Sequence, residues 1–124
     1  MIQKYTQGGF PVFVTLSLLL AAACLLPGSA KLLGLPRMRE AATHFGIPWP
    51  GYRLIALPEL AAALGVVAGM WWHPIGISAA AGMTALLLGA LATHRRAGDG
   101  PKEMAAALVG LALVGAYLAV AAIG

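Results

Sequence analysis

The stretch Leu54-Ile55-Ala56-Leu57-Pro58-Glu59-Leu60-Ala61-Ala62-Ala63-Leu64-Gly65 places a single carboxylate, Glu59, in twelve otherwise apolar residues. Continued to Trp72, the run has the length needed to cross roughly 30 Å of hydrocarbon at about 1.5 Å per helical residue. An ionisable side chain at that depth costs several kcal/mol unless paired or neutralised, so Glu59 marks a functional site by default. The alternative is a structural carboxylate that bridges two helices through a buried cation.

The rest of the chain puts this run in context. Of 124 residues, 60% are hydrophobic and 10% charged, with a mean hydropathy of +0.86; a soluble domain carries about 25% charged residues. The composition is that of an integral membrane protein. A net charge of +4 and a pI near 9.7 would point to nucleic acid in a soluble chain. Here the basic residues flank apolar runs, where they set orientation and meet lipid headgroups, and nucleic acid is excluded as a partner. One cysteine, Cys24, supports neither an internal disulfide nor a Cys-x-x-Cys redox pair.

Four segments are long enough to span: Phe10–Leu33, Leu54–Trp72, Ile75–Thr93 and Met104–Ile123. Pro48-Trp49-Pro50-Gly51, His73-Pro74 and Gly98-Asp99-Gly100-Pro101 punctuate them. Short links make successive helices antiparallel, so the expected architecture is all-α, a single membrane-embedded domain over residues 1–124 built as an up-down four-helix bundle. The apolar run before Pro27 exceeds the h-region of about 7–15 residues in a signal peptide, so the first segment is read as a retained span.

The longest polar stretch, Leu35 to Tyr52, carries a short interfacial helix between the first two spans. Pro36 suits its first position, Met38, Ala41, Ala42 and Phe45 recur at helical spacing, and Gly46-Ile47-Pro48 stops it. Trp49 and Tyr52 on one side and Trp71 and Trp72 on the other read as interfacial aromatic belts. Rows of small residues, such as Ala61, Gly65 and Gly69, allow close helix approach within one bundle or between copies of a homo-oligomer. Seven of the eight basic residues, Lys31, Arg37, Arg39, Arg53, Arg95, Arg96 and Lys102, fall at the first and third connections. The positive-inside rule turns those connections to the cytoplasm and both termini outward, in the inner membrane of the cell.

Polar groups gather at the same end. Lys31 lies within a turn of the end of the first span, Glu59 about 8 Å into the second from five residues of rise, and His94 at the end of the third. His44 and Glu40 lie on the interfacial helix, and Glu103 opens the fourth span as a dipole partner and cap. Lys4 and His73 fall at the opposite end. Pro27-Gly28-Ser29 removes a backbone donor and weakens the ladder of the first helix, so a kink is expected just before Lys31, and Pro58 acts likewise beside Glu59; freed carbonyls and the Ser29 hydroxyl are then available to line a cavity. The expected site is a polar pocket in the cytoplasmic half, with Lys31, Glu59 and His94 as the residues able to carry acid–base chemistry and Ser29, Lys31, His44, Glu59 and His94 as ligand contacts. Lys31 as a snorkelling cation and His94 as a plain interfacial residue are the structural alternatives. Three histidines without close spacing give no metal framework.

The runs Gly28-Ser29-Ala30-Lys31-Leu32-Leu33-Gly34, Ala41-Ala42-Thr43-His44-Phe45-Gly46-Ile47-Pro48, Pro58-Glu59-Leu60-Ala61-Ala62-Ala63-Leu64-Gly65 and Gly89-Ala90-Leu91-Ala92-Thr93-His94-Arg95-Arg96-Ala97-Gly98-Asp99 together resemble the DoxX-like family of small four-helix membrane proteins. The resemblance implies that Lys31, Glu59 and His94 stand at the family's lysine, glutamate and histidine positions. It also implies an association with quinone handling and redox stress, because the family's namesake is similar to a membrane subunit of a thiosulfate:quinone oxidoreductase. The chain itself lacks paired cysteines, bis-histidine haem spacing and a dinucleotide motif, so an electron carrier would come from a soluble oxidoreductase partner or a bound quinone.

Three readings follow. The first is a binding subunit that holds a quinone or similar apolar ring, with Lys31 or His94 donating to a carbonyl and Glu59 orienting the donor. The second is a membrane-embedded acid–base enzyme, an isomerase or epoxide hydrolase, acting on an apolar substrate. The third is a proton-coupled small-molecule transporter. All place the site at the basic end, whose side of the membrane is checked by a fusion: a reporter that works only outside the cytoplasm, attached after Gly124, should be active, and an inactive reporter beside an active cytoplasmic one would reverse the assignment.

Overall fold

A computed structural model describes residues 9–123 of the chain, so Lys4 and its place in the charge pattern lie outside the described residues. Six helices follow one another: α1 (Gly9–Leu33), α2 (Pro36–Phe45), α3 (Trp49–Leu54), α4 (Ala56–Ala68), α5 (His73–Arg96) and α6 (Pro101–Ile123). Four stretches, Pro11–Leu33, Trp49–Ala68, His73–Arg96 and Pro101–Ile123, are long and apolar enough to cross a membrane. The architecture is the expected all-α bundle of four spans with a short helix, α2, between the first two.

The span boundaries differ from the sequence reading in one instructive place. The second span begins at Trp49 and its helix ends at Ala68, instead of running from Leu54 to Trp72. It is two helices in series, interrupted at Ile55, whose N–H donates back to Tyr52 O at 3.2 Å. Pro58 is the cause: without an N–H it cannot close the bond to the carbonyl four residues before it, which falls at Leu54. At the other end His73-Pro74, expected as a link, forms the first turn of α5, where a proline is favoured because its missing donor would be unpaired anyway. The first helix continues unbroken across Pro27.

α1 packs against α4 and α6, and α5 closes the ring between α4 and α6. Phe13 and Leu20 of α1, Val66 of α4, Ala80 and Met83 of α5, and Val114 and Tyr117 of α6 fill the centre. Phe13 stacks on Tyr117 with ring centroids 5.4 Å apart and receives His73 edge-on at 6.0 Å. The buried Ser17 hydroxyl donates to the Phe13 carbonyl at 2.8 Å, which satisfies it inside its own helix. Large apolar side chains such as Leu26, Leu64 and Ile123 point outward, as a lipid-facing surface requires. Trp71 and Trp72 are exposed at the end opposite the basic residues, where an interfacial belt belongs.

The tightest crossing joins α4 to α5 under Tyr117. A methyl on Gly76 would stand 2.9 Å from the Gly69 Cα and overlap the Tyr117 hydroxyl, whereas one on Gly82 of the same helix would meet nothing within 4 Å. Gly76→Ala should therefore lower stability by about 1–3 kcal/mol through overpacking, and Gly82→Ala should be neutral or gain up to about 1 kcal/mol from helix propensity. Thermal unfolding in detergent distinguishes them, and equal effects at the two positions would contradict this crossing.

Candidate functional site

Lys31 and Glu59 meet across the α1–α4 interface. Gly28, one turn before Lys31, permits the approach, since a Cβ there would stand 3.1–3.3 Å from Leu60 and from Glu59 Cβ. Lys31 Nζ then lies 2.9 Å from Glu59 Oε1, with the side chains 8% and 14% exposed. Oε1 is buried and has no aligned hydrogen-bond donor among the described residues, so the contact is an ion pair first. Each charge sits where its helix favours it, the cation in the last turn of α1 and the anion in the first turn of α4. The Lys31 ammonium also stands 5.1 Å from the centroid of the Tyr52 ring, within cation–π reach.

This pair forms part of the wall of a cavity of about 320 Å³. Phe45 and Ile47 reach it from α2 and its exit, Tyr52 and Ile55 from the α3–α4 junction, and Ala85, Leu86, Gly89, Ala90, Thr93 and His94 from α5. Ala85 and Gly89 are both exposed, so the α5 wall is thin and turned partly outward. Its polar groups are concentrated in Lys31, Glu59, Tyr52, Thr93 and His94 against an otherwise apolar lining.

His94 is held by Asp99. The chain turns at the end of α5 through Gly98, whose φ of +82° suits glycine, with Gly98 N–H donating to Arg95 O and Asp99 N–H to His94 O at 2.9 Å. That reversal returns the Asp99 carboxylate to the helix end, where Oδ2 accepts from His94 Nδ1 and Oδ1 from His44 Nε2, both at 2.7 Å. The bond from His94, supported by the one from His44 and opposed by desolvation, lowers the Asp99 pKa from its ordinary 3.8. One carboxylate thus ties α2 to the end of α5. Phe45 completes the contact, packed edge-on to the His94 ring at 5.0 Å.

Of the residues singled out in the sequence, Lys31, Glu59 and His94 share this cavity. His44 is half-exposed and approaches it only through Asp99, and Ser29, half-buried on α1, does not line it. Glu103 caps α6 by accepting the Gly100 N–H at 3.0 Å. Tyr52, read from sequence as an interfacial anchor, is 8% exposed and belongs to the cavity. Asp99 and Phe45 were likewise not among the expected site residues. Asp99 had one legible signal, its place directly after a helix-ending Gly98 and five residues beyond His94. Two arginines make contacts at the same end of the bundle: Arg53 donates through Nε and Nη2 to Leu32 O at 3.0 and 2.6 Å, and Arg39 stacks 4.6 Å from the Trp49 ring.

The fold and site define a small four-span membrane protein with a paired lysine and glutamate in a cavity between its helices. The chain belongs to the DoxX-like family, whose family model matches residues 15–117. No curated protein and no solved structure matches it.

A buried pair costs more to break than to replace. Lys31→Met should destabilise the bundle by about 3–5 kcal/mol, because it leaves the Glu59 carboxylate uncompensated. Adding Glu59→Leu should restore much of that loss. Thermal unfolding of both single variants and the double variant gives the coupling, and additive losses would show that the two charges do not interact.

Proposed function

We propose that this DoxX-like membrane protein binds an apolar, ring-shaped small molecule of the quinone type in the cavity between α1, α4 and α5. The observation that carries the reading is the composition of the wall: a buried ammonium–carboxylate pair set beside the aromatic rings of Phe45 and Tyr52 in an otherwise apolar enclosure. Ligand sites have this character, with a few placed polar groups in an apolar concavity. The volume of about 320 Å³ is about twice that of a 150 Å³ cavity that admits benzene, enough for a one- or two-ring head group. Lys31 supplies N–H donors to a ring oxygen, Glu59 holds the ammonium in place, and Phe45 and Tyr52 pack against the ring faces or edges. On the positive-inside orientation the cavity lies in the cytoplasmic half, where a soluble oxidoreductase would reach its ligand.

The test is titration of the detergent-solubilised protein with 1,4-naphthoquinone and with its hydroquinone under anaerobic conditions, followed by intrinsic fluorescence. At least one should bind. Phe45→Ala should weaken that binding about fivefold through the lost aromatic contact, and Ala90→Leu should weaken it further by filling the cavity. Ala61→Leu, in a groove on the other side of α4, should leave it unchanged. Affinities indifferent to Phe45→Ala and Ala90→Leu would place the ligand elsewhere and overturn the reading.

A further inference from the structure

The Asp99 carboxylate decides what kind of oxygen His94 can meet. In a neutral imidazole one nitrogen carries the proton and the other accepts, and the partner of one nitrogen sets the role of its opposite number. Asp99 Oδ2 stands 2.7 Å from His94 Nδ1, and its other oxygen is occupied by His44 Nε2 at the same distance. An ionised carboxylate is an acceptor only, so the His94 proton belongs on Nδ1 and Nε2 is left with its lone pair. His94 Nε2 has no hydrogen-bond partner in the protein among the described residues, and its ring lines the cavity. Lys31 offers the opposite polarity: its ammonium carries three N–H donors and no acceptor, and Glu59 Oε1 stands beside it at 2.9 Å as an ion-pair partner without an aligned N–H.

We infer that the cavity is polarised, with N–H donors at Lys31 and an acceptor at His94 fixed by the Asp99 contact, and that it selects a ring carrying an acceptor oxygen at one end and a hydroxyl at the other. This rests on the ring-binding reading above and narrows it to the hydroxylated, reduced form. A hydroquinone satisfies both ends, its hydroxyl donating to His94 Nε2 and its second oxygen accepting from Lys31. A fully oxidised dione turns a lone pair toward the lone pair of Nε2 and leaves that nitrogen without the donor that the hydroquinone supplies, so one hydrogen bond is lost and two acceptors face each other. Asp99 acts here as a positioning residue, through the imidazole and without touching the ligand.

Two measurements decide the matter, both on the full chain in detergent at pH about 8, above the ordinary histidine range near 6.5. The first is the ¹⁵N spectrum of histidine-labelled protein, with His94 assigned by the signals lost in His94→Gln. A protonated Nδ1 and a pyridine-type Nε2 are expected, and the reverse tautomer would overturn the assignment of Asp99. The second is the anaerobic affinity ratio of 1,4-naphthohydroquinone to 1,4-naphthoquinone. The wild-type protein should favour the hydroquinone by about tenfold or more, and Asp99→Asn, whose amide can donate to Nδ1 and free Nε2 to carry the proton, should bring the two affinities together. Equal binding in the wild type, or a preference for the quinone, would overturn the polarity while leaving the ring-binding reading intact. Binding of neither probe would overturn both, and the wild-type tautomer would still report separately on Asp99, even if Asp99→Asn fails to fold.

Discussion

The Lys31–Glu59 pair is the constraint around which one end of this bundle is arranged. Two charges taken out of water each carry a desolvation cost of several kcal/mol, repaid only at close range and with good geometry. A separation of 2.9 Å between side chains of different helices demands that those helices approach closely and in one register. Gly28 allows the approach by leaving room for Leu60 and Glu59. The helix dipoles assist, because the ammonium lies at the negative end of α1 and the carboxylate at the positive end of α4. The break at Ile55 then turns α3 so that Tyr52 comes beneath the ammonium. The pair therefore organises the packing as well as the polarity of its surroundings.

A second carboxylate completes the same end by different means. Asp99 lies in a connection, and its reach comes from backbone geometry: the left-handed Gly98 sends the chain back on itself and delivers the side chain to the last turn of α5. It gathers His94 and His44 and so fastens the polar helix α2, of which Ala42 is the buried residue, onto the bundle. An interfacial helix with so little buried surface gains much from a charge-assisted contact of this kind. Phe45 is placed over the cavity as a result.

What could be read from the sequence divides along physical lines. Length and hydropathy fix four spans, since a bilayer tolerates few alternatives to helices of that length, and the Pro36 start and Gly46 stop of α2 were equally plain. A charge at depth is costly wherever it falls, so Lys31 and Glu59 stood out before any geometry was known, and the Gly28-to-Gly34 and Pro58-to-Gly65 runs that hold them also carried the family resemblance. Tyr52 was harder: near a membrane boundary an amphipathic aromatic serves as well outside the protein as inside, and only the turn at Ile55 directs it inward. Asp99 escaped because solvated turn aspartates are common and the spacing to His44 is set by tertiary packing. Ser29 shows the converse limit. Its closeness in sequence to Lys31 says little about facing, because two residues along a helix is more than half a turn around it.

The thin α5 wall has a consequence for how a ligand would be supplied. Ala85 and Gly89 have almost no side chain, and both are exposed on a helix long and apolar enough to cross a membrane. A solute dissolved among the acyl chains meets this wall by diffusion in two dimensions and never has to cross water. The concentration that would govern occupancy of the proposed site is then its mole fraction in the lipid, far above its aqueous level for any apolar ring, so a modest intrinsic affinity would suffice to keep the cavity filled. Occupancy would follow the composition of the bilayer directly, and exchange would be set by motions of the lipid and of α5 instead of by release into the aqueous phase.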